Sequence, residues 1–192
     1  IFNQNEIDFK SSFKVHDFYE ILNKKTGNKF EEMSKESIHQ FLKENNIDID
    51  ECNNIGKMID KAFSVFVEPT LIQPTFIINY PLSLSPLAKK INSNDKLVDR
   101  FELFIGGMEI ANAFSELNDP IDQRTRLENQ SKLRESGDDE AHTMDEDFIE
   151  AIECGMPPTG GVGLGIDRIV MIFTNQNSIK DVILFPAMRS EE

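Results

Sequence analysis

The sequence predicts an α+β fold in which helices flank an antiparallel β-sheet. Apolar residues recur at helical spacing through the first third of the chain. From Pro69 the pattern changes to short β-branched and aromatic runs set off by proline and glycine. Between Met156 and Phe173, glycines 160, 161, 163 and 165 lead directly into an Asp-Arg pair and an apolar run, which reads as a glycine strand feeding a helix.

Each element has a local cause. Residues 1–66 read as mostly helical. Phe18, Ile21 and Leu22 precede a stop at Gly27, Ser34 caps a helix bearing Ile38, Phe41 and Leu42, and Ile55, Met58, Ile59, Ala62, Phe63 and Phe66 form a third stripe. Residues 75–79 read as a strand and PLSLSPLAKK as a loop. Residues 101–105 and 108–110 form a hairpin, because Gly106-Gly107 supplies the positive φ angles that a two-residue turn needs. Asp119-Pro120 starts a charged, exposed helix reaching about Glu135. After an acid-rich loop, Asp145 caps a helix carrying Phe148, Ile149 and Ile152, which Gly155 and Pro157 stop. In the glycine-led helix, Ile166, Ile169, Val170 and Phe173 carry the spacing of a buried face, and Val182 to Phe185 reads as a last strand.

A chain of 192 residues suits one domain with a real core. A formal charge of −14 lacks the clustered lysine and arginine of a phosphate-backbone footprint. Cys52 and Cys154 are too far apart for a CxxC pair, so neither a zinc site nor a disulfide framework is indicated. His16, His39 and His142 are lone histidines, and the acids Asp48, Asp50 and Glu51 read as a solvated helix start. With no apolar run near membrane-spanning length and no signal peptide, the chain reads as soluble and cytoplasmic.

Two stretches suggest chemistry. The glycine run is neither a P-loop, since no lysine follows it, nor a dinucleotide fingerprint, since Arg168 stands where the third glycine belongs. In the expected hairpin register Ile105 pairs with Met108, Phe104 with Glu109 and Glu102 with Ala111. Glu102 and Glu109 then share a face as diagonal neighbours, about 7–8 Å apart at Cα. Two carboxylates so placed can converge on a hard cation such as Mg²⁺; otherwise they are solvated charges on a sheet face. Asn112 and Glu116 lie three and seven residues past Glu109, on the other face of a regular strand. Either this segment is helical or a bulge near Ala111 to Ala113 re-aims the side chains; the small alanines favour the bulge.

PPTGGVGLGIDRIVM resembles the third signature motif of class II aminoacyl-tRNA synthetases, in particular their lysine-specific branch. PTFIINYPLSLSPLAKK, FELFIGGMEIANAFSELNDPIDQR, GDDEAHTMDEDFIEAIECGMPP and VILFPAMR resemble the same enzymes in the same order, so the likeness runs from about Pro74 to Arg189. Upstream, FKSSFKVHDFYEILNKKTGNKF is similar in character to the variable helical insert. The resemblance implies a partial catalytic core: residues 1–68 as an insert-like helical region and residues 69–192 as the C-terminal part of the core with motif 3. Because the chain opens at Ile1, it also implies a piece of a longer protein, with motifs 1 and 2 upstream and little activity alone.

The implied reaction is ATP-dependent activation of lysine to lysyl-adenylate, followed by transfer to tRNA(Lys) through the full-length, homodimeric enzyme, whose anticodon contacts lie in a separate N-terminal domain. The resemblance makes Arg168 the catalytic residue and gives Mg²⁺ to Glu102 and Glu109. It lines the ATP with those two glutamates, Ile110, Gly163, Gly165, Ile166, Asp167 and Arg168, and turns Asn112 and Glu116 toward lysine. A paralogue that lysylates elongation factor P, or a non-catalytic regulatory relic, are the other roles compatible with this core.

Overall fold

Gly106 and Gly107 turn the chain at φ +64° and +75° in the computed structural model, which describes residues 1–49 and 54–187. They join β4 (Asn94–Ile105) to β5 (Met108–Ser115). Both glycines are required. Positive φ is strained for other residues, and a Cβ on Gly106 would also sit 2.8 Å from the Phe2 ring.

The hairpin opens in the expected register, Ile105 with Met108 and Phe104 with Glu109, and then slips by one. Ile110 is the extra residue, so Leu103 pairs with Ala111 and Glu102 with Asn112, not with Ala111 as the regular ladder requires. The bulge therefore sits one residue ahead of the expected stretch, and the segment is strand, not helix. Ile110 is buried on the back of the sheet with Phe2, Ile105 and Ile172. Ala111 also turns to that side, opposite Leu103, and its small side chain leaves room for two consecutive residues on one face.

The sheet also contains β1 (Lys14–Asp17), β2 (Thr75–Pro81), β3 (Lys90–Ile91) and β6 (Gly160–Leu164). Its order is β1-β2-β4-β5-β6, with β3 also on β4. All pairings are antiparallel except β1 with β2. The parallel strand is unexpected in a region that reads as mostly helical: Lys14 to Asp17 pairs with Thr75 to Ile78, far along the chain.

Helices α1 (Phe18–Thr26), α2 (Lys35–Glu44) and α3 (Ile55–Phe66) cover the front of the sheet. Asp17, Ser34 and Asn54 cap them through side-chain acceptors, and Gly27 ends α1 at φ +74°. Phe63 joins the layers, stacked on Phe18 at 4.5 Å and 6.0 Å from Phe104 between ring centroids. Asp50, Glu51, Cys52 and Arg189 lie outside the described residues.

Downstream come α4 (Pro120–Glu135), α5 (Glu146–Glu153) and α6 (Ile166–Thr174), capped at Asp119, Asp145 and Gly165. Three expectations fail here. α4 is charged but not wholly exposed: Gln123, Arg126 and Leu127 are buried, with Arg126 donating to the carbonyls of Ser85 and Ala88 to pin the PLSLSPLAKK loop. α6 carries apolar residues on more than one face, so periodicity alone misassigns the buried one: Ile169 and Ile172 pack on the sheet, while Ile166 and Phe173 are exposed. Residues 182–185 follow a 3-10 turn and form no strand; Leu184 and Phe185 are about nine-tenths exposed.

Phe63→Ala is expected to cost about 3–5 kcal/mol, read as a lower midpoint in urea unfolding.

Candidate active site

Because opposed residues share a face, the bulge puts Glu102, Asn112 and Gly163 in one row across β4, β5 and β6. Glu109 pairs with Phe104, which lies on the same side as Glu102, so both glutamates project from the front of the sheet. Phe114 pairs with Gly161, and Glu116 continues the same alternation. On β6 the front positions are glycines and the back positions are Val162 and Leu164. Beside Asn112 and Phe114 the sheet is therefore bare backbone, a floor against which a ligand can lie closely.

Glu116 lies over this floor. Its backbone N–H donates to the Thr159 carbonyl at 2.9 Å, and a Cβ added at Gly161 would run into its carboxylate. Burial pushes the Glu116 carboxyl above its ordinary range. Around the same carboxylate, Lys89, Ser115, Pro158 and Thr159 bound a cavity of about 300 Å³. Lys89 is directed elsewhere, donating to Asn118 at 3.1 Å.

Arg168, in the first turn of α6, donates to the Glu109 carbonyl at 2.6 Å and approaches its carboxylate at 3.5 Å. Gly165 hydrogen-bonds the Ile110 carbonyl at 2.9 Å, and a Cβ there would stand 3.4 Å from the Arg168 side chain. Ile110 thus faces the site only through its main chain, since its side chain is buried behind the sheet. Ile166 and Asp167 are exposed at the start of α6.

Sequence reading missed four neighbours. Tyr80 donates to Glu102 at 2.7 Å, and Arg100 forms an ion pair with the same carboxylate. Asp60 on α3 and Glu68 just beyond it add two further acids. Burial raises the Glu102 carboxyl; Arg100 and Tyr80 oppose this, while Glu109 and Asp60 push it further up. Burial, then Asp60, Glu102 and Glu109, lift Glu68 to about 7. Arg100 could have been read from the sequence, because on a strand it shares a face with Glu102 two residues on. Asp60 and Glu68 arrive through the packing of α3, which no local pattern encodes.

This donor set suits Mg²⁺. The ion is usually held by one or two carboxylates together with substrate phosphates, and the described residues contain no cage of three or more protein ligands. Glu102 and Glu109 offer oxygens from one face, and each carboxylate keeps acceptor capacity beyond its present partners. Four mutually repelling acids are also a setting that a bound cation relieves.

The site is thus a mostly antiparallel sheet with a glycine floor, two glutamates on its front and an arginine-led helix at its edge. The family model for class II tRNA synthetases (D, K and N) matches residues 2–189, and the chain belongs to that family. The match extends upstream of Pro74, where the motif likeness is weak. Among curated relatives, the chain is 52% identical over 192 residues to the lysine–tRNA ligase of Shouchella clausii, covering 100% of this chain and 38% of that protein. It is 52% identical over 189 residues to the Bacillus subtilis lysine–tRNA ligase, covering 98% and 38%. The Enterococcus faecalis lysine–tRNA ligase is 53% identical over 184 residues, covering 95% and 37%. The chain therefore spans well under half the length of the relatives it matches.

Glu68 gives a pH test. Its folded-state proton is held more tightly than in the unfolded chain, so its stabilising effect is present at pH below the ordinary carboxylate range and lost as pH rises through about 7. Glu68→Gln is expected to raise Tm by about 2–4 °C at pH 8 and to change it little at pH 4.5, measured by scanning calorimetry.

Proposed function

We propose that the whole protein is a lysine–tRNA ligase and that this chain supplies the amino-acid pocket and one side of the nucleotide site. In the first step a lysine carboxylate oxygen bonds to the α-phosphorus of ATP, and the bond from that phosphorus to the β-phosphate oxygen breaks, releasing pyrophosphate. In the second, a tRNA(Lys) terminal hydroxyl attacks the adenylate carbonyl and AMP leaves. Such chemistry depends on holding two anions in line and offsetting charge that builds on the phosphates.

The observation that carries this reading is the Glu116 carboxylate, partly buried over Gly161, with the neighbouring Lys89 ammonium turned to Asn118. A lysine ε-ammonium is the complementary group, since a desolvated ammonium needs a charged acceptor. Asn112, two front positions back along β5 beyond Phe114, contacts the other end of the amino acid. Backbone at Ile110, Gly163, Gly165, Ile166 and Asp167 lines the nucleotide. Arg168 lies against the adenine and reaches the terminal phosphate, a task suited to a planar, permanently charged fork. Glu102 and Glu109 would hold Mg²⁺, which when bound supplies positive charge to the phosphates. Binding of tRNA(Lys) and homodimer formation are assigned to the whole protein. Among the described residues no helix is long and apolar enough to cross a membrane.

The test is lysine-dependent ATP–pyrophosphate exchange by the full-length protein. Glu116→Gln is expected to raise the KM for lysine on the order of 10²-fold, equivalent to about 3 kcal/mol, with the KM for ATP within about threefold of wild type. Exchange that does not depend on lysine, or a Glu116→Gln protein with unchanged lysine KM, contradicts the assignment.

A further inference from the structure

Arg100 has no part in the proposed chemistry, yet its guanidinium has four hydrogen-bond partners at the front of the sheet. Its Nε donates to Asn112 Oδ1 at 3.1 Å, and its Nη2 pairs with Glu102. Its Nη1 donates to the Leu84 carbonyl at 2.9 Å and to the Ser85 hydroxyl at 2.8 Å. The guanidinium also lies over the Tyr80 ring, 4.6 Å from its centroid. Four of its five N–H groups are thereby directed, and its plane is fixed by the ring.

Glu102 and Asn112 face each other across β4 and β5, and the one guanidinium bridges them. The third arm anchors it to the PLSLSPLAKK loop, which α4 holds through Arg126. The geometry points to Arg100 as a positioning residue that sets the amino-acid side and the metal side of the site together. By donating to Asn112 Oδ1, it fixes the orientation of that carboxamide and leaves Nδ2 as the group presented to a ligand. By pairing with Glu102 from the strand side, it holds one carboxylate edge and leaves the rest of the oxygens for a cation. A lysine at this position keeps the charge but not the fork, because a single ammonium cannot direct donors to Asn112, Glu102 and the loop in one plane.

This inference rests on the ligase reading, and its test separates the two. Pyrophosphate exchange by the full-length protein is measured against lysine and against Mg²⁺ for wild type, Arg100→Lys, Asn112→Ala and the double variant. Arg100→Lys is expected to raise the lysine KM about tenfold or more and to raise the half-saturating Mg²⁺ concentration at fixed ATP. Asn112→Ala is expected to raise the lysine KM alone. The double variant is expected to lie within about threefold of Asn112→Ala in lysine KM, because two changes acting through one contact do not multiply. A purely structural arginine lowers kcat through loss of folded protein and leaves both concentrations unmoved, which overturns the inference, as does a fully multiplicative double variant. If Arg100→Lys does not fold, Ser85→Ala decides, since it removes one acceptor of the same guanidinium without touching the strands. A threefold rise in its lysine KM supports the inference and an unchanged value overturns it. Wild-type exchange without lysine dependence ends both readings, whereas lysine-dependent wild-type exchange with multiplicative costs ends this one only.

Discussion

A single unpaired residue, Ile110, governs how this site is assembled. On a regular ladder Glu109 and Asn112 point to opposite sides of the sheet, and no rotamer brings them together. The extra residue resets the alternation, so Glu109, Asn112 and Glu116 all project from the front. The bulge is stabilised from behind: Ile110 is buried against Phe2, Ile105 and Ile172, so its apolar side chain favours the irregular ladder. Its carbonyl accepts from Gly165 and ties the start of α6 to the same point, which sets Arg168 beside Glu109.

Electrostatics follow from that geometry. The chain carries a large negative charge, and its front face gathers Asp60, Glu68, Glu102 and Glu109, with Arg100 paired to Glu102 and Arg168 to Glu109. An anionic nucleotide approaches such a surface only with a cation between them. The glycine floor complements this arrangement sterically. Where β6 would otherwise present side chains to the front, Gly161 and Gly163 leave the space that the Glu116 carboxylate and a ligand need.

Much of this architecture is legible in the sequence, because its signals are local. Asp17, Ser34, Asp119 and Asp145 mark helix starts by side-chain capping, Gly27 ends α1 at positive φ, and Gly106-Gly107 dictates a tight turn. The glycine strand leading into α6 is equally direct. What fails depends on distant partners. Lys14 to Asp17 is a short, mostly polar segment that becomes a strand only because Thr75 to Ile78 accepts it, while residues 182–185 have strand-like composition and pair with no strand. The spacing of Asn112 and Glu116 reveals that a bulge is needed but not where it falls; the burial of Ile110 decides that. Glu102 and Glu109 are readable as a pair from the hairpin register, whereas Asn112 and Glu116 join them only once the bulge is placed. The acids that crowd them from α3 are not, because helix-on-sheet packing brings them there.

The most direct test of the account is a crystal structure of the full-length protein with lysine, a non-hydrolysable ATP analogue and Mg²⁺. The expected result is a lysine ammonium at Glu116 above Gly161, Asn112 toward the other end of the same lysine, and a divalent ion shared by Glu102 and Glu109 on the phosphates. An ammonium bound away from Glu116, or Glu102 and Glu109 on opposite sides of the sheet, contradicts it.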